Sequence, residues 1–305
     1  MRNYQLQCPI VASFSSTYFS APPLVHTMGE GEKVRGVTCL DDEVFIVCDG
    51  KAEVQVFDVN TLSLKRRLLV TGLISAYDLA SCEQNSCVYS CNYHGDSVFK
   101  IDVNGKVTNW NTKKTTYSLS VTAKSNVLVT SRRTSKLIEF TADGRFLREI
   151  YLHPVMGYPY HSVQLSNDQF LVCCGQLLVT GESDRRVYVI NNDGKPIQTY
   201  SGGISAMYGN ILRPYHLVVD KQGFIAAVDY DKHNVVLLSP SLTYVRELIS
   251  GDSRFPVNIW RMIFDDKGRH KIANPIRMYF DERHTLLSVA NFNGGLSVFK
   301  GQTMI

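Results

Sequence analysis

Six short apolar runs of strand character recur along the chain. They are "VQVFD" from Val54, "VFKID" from Val98, "LIEFT" from Leu137, "VYVIN" from Val187, "VVLLS" from Val235 and "LSVFK" from Leu296, separated by 44, 39, 50, 48 and 61 residues. A recurrence of about 40 to 50 residues that carries strands is the spacing of propeller blades rather than of helical solenoids. No other feature restricts the fold as much.

The order inside a unit supports this. "HLVVD", a tight turn, "FIAAVD", a polar loop, "VVLLS" and "YVREL" read as four strands separated by turn residues. Asn104-Gly105, Asp143-Gly144 and Asp193-Gly194 follow the third strand of their units, where such pairs supply the positive φ of a hairpin turn. Pro159, Pro214 and Pro275 lead the first strand, where a missing N–H breaks no ladder. The chain contains no GxGxxG opening a helix and no Pro/Ser-rich linker. The expected fold is therefore all-β: one domain over residues 1–305, a six-bladed propeller of four-stranded blades. Only six residues follow Phe299, too few for an outer strand of the sixth blade. Residues 1–33 are expected to close the ring through "NYQLQ" or "PIVASF", with the blades over 34–300.

Composition narrows the class. Apolar residues make up 44% and charged residues 20%, ordinary for a folded soluble domain. A net charge of +4 is spread along the chain and permits an anionic partner without requiring one. Residues 3–29 carry no charge, yet "CPIVASF" is too short and interrupted for a signal sequence. No apolar run reaches membrane-spanning length. Eight cysteines lie mostly within strand-like runs of a chain that needs no staples, which reads as reduced thiols and a cytoplasmic protein. Cys82 and Cys87 are expected to face each other across a hairpin.

The units resemble the NHL-repeat propellers found at the C-terminus of tripartite-motif (TRIM) proteins. "RPYHLVVD", "FIAAVD" and "DKHNVVLL" follow the order of that repeat, and "SGGISAMYGNILRP" is similar to its connection between blades. The resemblance spans about residues 34–300. It departs at Lys232 and Asn234, which flank His233, and at insertions over 174–186 and 251–273. It implies a binding module, and a substrate-recognising part of a ubiquitin-ligase system. The RING, B-box and coiled coil that carry ligase activity in that family have no counterpart in the sequence.

Asp49, Asn92, Arg132, Gly175, Asp229 and Asn291 end the second strand of successive units. Turned to the axis they would gather a Ca²⁺ or Zn²⁺, as in the more distantly similar propeller lactonases, which makes a metal-dependent lactonase or lyase at the axis the third reading. The simpler reading, that Asp and Asn cap the following loop, is preferred, because Arg132 in the same ring would oppose a cation. His161 and His216 follow the repeated Pro-Tyr and read as structural. GxSxG, HExxH and GxxxxGK[ST] are absent. No cofactor, no metal and no enzymatic activity are expected. The loops between second and third strands hold Tyr93 and His94, Arg132 and Arg133, Arg185 and Arg186, Tyr230 with Lys232 and His233, and Phe292. Six such loops emerge on one face of a propeller. Tyr and Arg are common interface anchors, so the expected partner is a protein or peptide, with single-stranded RNA as the alternative and neither DNA nor membrane.

Overall fold

The computed structural model describes residues 17–18, 24–28, 32–165, 168–177, 183–200, 210–249, 272, 274–292 and 294–303. Six four-stranded antiparallel sheets form the blades: residues 34–69, 76–111, 118–151, 159–200, 214–249, and 275–300 joined by 24–28. The recurrent runs of the sequence are the third strands, for example Glu53–Asp58, Ser97–Asp102 and Asn234–Leu238. The six first strands contact one another in a closed ring, with that of blade 6 (Pro275–Asp281) against that of blade 1 (Val34–Leu40).

Alternation along each strand sends side chains to both faces of its sheet, so each blade buries both faces against its neighbours. The result is six separate cores, one at every junction. Blades 1 and 2 share Phe45, Val54, Leu79 and Phe99, and blades 6 and 1 share Val34, Ile46, Ile276 and Val298. Each fully buried Val, Leu or Phe contributes about 1.5–3 kcal/mol, and closing the ring leaves no junction unburied.

Closure does use the N-terminal segment. Leu24–Met28 is the outer strand of blade 6, with Leu24 opposite Phe299 and Met28 opposite Leu296. The two stretches favoured from sequence, "NYQLQ" and "PIVASF", lie outside the described residues, and the strand is the later "LVHTM". A second pairing joins Thr17–Tyr18 to Gln302–Thr303.

The turn chemistry agrees with the sequence. Gly105, Gly144 and Gly194 have φ of 85°, 90° and 76°. Cys82 and Cys87 are directly opposite across the first hairpin of blade 2, and both are buried free thiols. The insertion over 251–273, Ile272 excepted, and the glycine-rich 201–209 fall outside the described residues.

Gly36, in the first strand of blade 1, permits the tightest approach between inner strands. A Cβ there would lie 2.8 Å from Leu79 N and 2.9 Å from Asp78 C. Backbone atoms cannot swing aside. Gly36→Ala is expected to lower stability by about 1–3 kcal/mol through forced separation of blades 1 and 2. An unchanged denaturation midpoint would contradict that close packing.

Candidate ligand-binding face at the propeller axis

The first strands do not run straight into the ring. In five blades the register between first and second strands shifts at the entry: between Val34 and Gly36, Ala76 and Asp78, Pro159 and His161, Pro214 and His216, and Pro275 and Arg277. A bulge leaves one residue unpaired and re-aims its side chain. The residues so placed are Arg35, Tyr77, Tyr160, Tyr215 and Ile276, and Tyr117 stands at the corresponding entry of blade 3.

Three of these tyrosines meet through their hydroxyls. Tyr77 donates to Tyr117 at 2.9 Å, and Tyr215 lies 2.8 Å from Tyr117 and 3.2 Å from Tyr77. Blades 2, 3 and 5 are not all neighbours, so the hydroxyls can meet only across the axis. From this triangle an aromatic arc spreads outward. On one side Tyr93 lies 4.5 Å from Tyr77 and 3.9 Å from His94. On the other, Tyr160 stacks on Tyr215 at 4.5 Å, Tyr215 on Tyr230 at 5.4 Å, and Phe292 meets Tyr230 edge-on at 5.8 Å. Tyr93, Phe292 and Tyr158 are 42%, 41% and 38% exposed, so the outer arc is open to solvent.

Arginines line the arc. Arg35 sits 4.8 Å from the Phe292 ring and pairs with Asp49 at 3.2 Å. Arg213 sits 5.2 Å from the Tyr230 ring and pairs with Asp231 at 3.4 Å. The half-buried Arg132 lies 4.7 Å from the Tyr160 ring and 5.2 Å from that of Tyr117, and donates to the Tyr160 hydroxyl at 3.4 Å. Among the described residues no carboxylate pairs with it. Burial, with Arg133 and Arg132 close by, lowers the His94 pKa and favours its neutral ring.

One layer below, the axis is closed. Arg277, 1% exposed, donates through Nε to Asp78 at 2.8 Å and through Nη1 to the Ile276 carbonyl. Asp78 also accepts from the Leu119 and Leu79 amides, at 2.9 and 3.0 Å. Burial raises the Asp78 carboxyl against the pull of Arg277 and these amides, while the carboxylate keeps Arg277 charged. His161 and His216 stack beside the pair at 3.8 Å. Burial, and then Arg277, brings His161 down to about 3, and His216 is lowered as well. Asp78, His161 and His216 bring ligand atoms within 4.8 Å of one another, a spacing that fits a metal. Their bonds fit one poorly: His161 Nδ1 accepts from Leu217 N at 3.4 Å, its Nε2 faces the Leu119 carbonyl at 3.3 Å, and Asp78 is engaged by a guanidinium. The layer is a packed ionic plug.

The residues expected from the loops divide. Tyr93, His94, Arg132, Tyr230 and Phe292 all join the arc, and Arg133 is exposed beside it. His233, with φ of 56°, instead accepts the Asn274 amide at 2.8 Å and ties blade 5 to blade 6; the Lys232 amide donates to Asp229. Arg185 and Arg186 are not at a loop tip, because the strands continue to Leu177 and from Ser183 and pair these arginines with Gly175 and Cys174. Asp229 accepts from the Leu212, Arg213, Asp231 and Lys232 amides, and Asn92 bonds Ser75 N and Gly72 O, so these two cap loops rather than ring the axis. Sequence reasoning passed over the bulge positions and Arg277. The signal was a column across the blades, Arg35, Tyr77, Tyr117, Tyr160, Tyr215 and Ile276, in which four of six residues are tyrosine.

No family model matches the chain, and no curated protein matches its sequence. Similar solved structures exist. A streptogramin B lyase aligns with a TM-score of 0.63 at 14% identity, over 89% of this chain and 94% of that one. Virginiamycin B lyase from Staphylococcus aureus aligns with a TM-score of 0.61 at 14% identity, over 90% and 96%. A chain of a nidogen/laminin complex aligns with a TM-score of 0.56 at 11% identity, over 71% and 80%. At such identities the likeness is one of fold. It corrects the expectation that the chain is not an enzyme: two of these propellers are lyases, and the fold gives no ground for excluding catalysis.

Proposed function

We propose that the chain recognises a partner through its axial loop face, and that the partner is a protein segment seated on the tyrosine-arginine arc. The observation that carries this reading is the continuous run of rings from His94 through Tyr93, Tyr77, Tyr117, Tyr160, Tyr215 and Tyr230 to Phe292, open to solvent at its outer members. Rings of this kind offer large contact area at low cost in side-chain entropy, and guanidiniums over them add directed donors. The nidogen/laminin structure is a similar propeller from a complex between proteins. A role in ubiquitination, implied only by the likeness to tripartite-motif proteins, is not required by this face. A reducing compartment accords with the seven buried free thiols among the described residues. No helix among the described residues is long and apolar enough to cross a membrane.

The test is capture from lysate by immobilised protein, with and without nuclease. Tyr93→Ala, Arg133→Ala and Phe292→Ala combined should weaken capture of a specific protein more than tenfold, since three interface anchors exceed about 1.4 kcal/mol. The thermal midpoint should move little, because exposed positions contribute little to folding. Loss of capture after nuclease would replace the protein by RNA. Capture abolished instead by Lys221→Gln, in the exposed turn between the first and second strands of blade 5 and so on the opposite face, would refute the choice of side.

A further inference from the structure

Among the described residues of this face, Arg132 is a half-buried guanidinium that no carboxylate pairs with. Arg35, Arg213 and Arg277 each have a carboxylate within 3.4 Å or less. Among the described residues, Arg132 has only the Tyr160 hydroxyl and the faces of Tyr117, Tyr160 and Tyr158. Withdrawing a guanidinium from water without a carboxylate is unfavourable unless something else supplies negative charge. The ring faces supply part of it through their quadrupoles. They leave most of the fork of five N–H donors unused, since a single hydroxyl accepts from it. Arg133, exposed next in sequence, adds to the positive field, and the His94 ring, kept neutral, stands 6.2 Å from that of Tyr117.

Resting on the reading of this face as the binding surface, we propose that Arg132 anchors an anionic group, a carboxylate or a phosphate, borne on a planar or apolar body that lies along the tyrosine arc. A guanidinium fork matches both oxyanions in a bidentate manner, and its backing by two tyrosine rings fixes the plane in which it presents its donors. The Tyr93 and His94 rings on one side and the open Tyr158 ring on the other provide walls for the body of the ligand. Neutral ligands of the same shape would bury the unpaired cation further without compensation, so charge selectivity belongs to the site. An acidic side chain or a phosphorylated residue of a bound segment would meet the same requirement.

Calorimetric titration with benzoate, phenyl phosphate and benzyl alcohol tests this on the full chain. One of the two anions, or both, should bind at least tenfold more tightly than benzyl alcohol, and their ranking identifies the oxyanion. Arg132→Gln should remove that preference, Arg132→Lys should retain part of it, and Lys221→Gln should leave it intact. Thermal midpoints verify that each variant is folded. Equal binding of the alcohol, an anion preference that survives Arg132→Gln, or no binding of either anion would overturn the proposal. Equal binding would leave the aromatic face standing as a binding surface, because the capture variants Tyr93, Arg133 and Phe292 do not alter Arg132.

Discussion

Replacing Arg277 with methionine is expected to destabilise the propeller by about 3–5 kcal/mol, the cost typical of removing one member of a buried ion pair. The guanidinium, 1% exposed, reaches across the axis to Asp78, 199 positions away in sequence, and lies 4.8 Å from the Tyr77 ring. Without it Asp78 keeps only the Leu119 and Leu79 amides and becomes an uncompensated buried carboxylate. The tyrosine triangle loses the cation beneath it at the same time. Asp78→Leu combined with Arg277→Met should recover much of the loss, because an apolar pair of similar volume carries no desolvation penalty. Denaturant midpoints of wild type, both single variants and the double variant form the cycle. A near-zero coupling energy would show that the pair contributes only volume.

Much of this architecture was legible because repetition multiplies weak signals. A single run such as "VVLLS" is ambiguous, but six at blade spacing are not; each became a third strand, and in three blades the expected glycine turn follows it. The closing strand was less legible, since "LVHTM" is short and its partner Leu296–Lys300 lies at the other end of the chain. The candidate face was half legible. Loop residues such as Tyr93 and Phe292 announced themselves by standing between strands. Tyr77, Tyr117, Tyr160 and Tyr215 did not, because tyrosine inside a strand reads as ordinary β-propensity and the alternation rule fails at a bulge. Arg185 and Arg186 misled for the opposite reason: a polar insertion looks like a loop even where the ladder continues through its flanks.

The largest pH effect is expected on the acid side of neutrality, where the axis should lose stability as pH falls. His161 is fully buried, stacked on His216, and burial brings it down to about 3; His216 shifts the same way. An unfolded histidine titrates near 6.5. As pH falls below that value the unfolded chain gains two protons that the folded axis refuses, so unfolding is favoured by about 1.4 kcal/mol per pH unit for each histidine. The effect is absent above neutrality and continues until the folded rings are forced to accept protons beside Arg277. Asp78 and Asp229 oppose it, since a carboxyl raised in the folded state takes its proton before the unfolded one does. Glu32, Glu43 and Glu149, all lowered, add acid loss below about 4.5. Between about pH 6.5 and 5 the buried pair should therefore set most of the slope, with smaller shares from the lowered His94 and His233. His161→Gln with His216→Phe keeps a ring in the stack and removes both titrations. The variant should be less stable at pH 7.5, yet its stability should fall across that window with a slope smaller by about two protons. Equal slopes for the two proteins would mean that the histidines already share protons with water in the folded state, which contradicts a sealed axis.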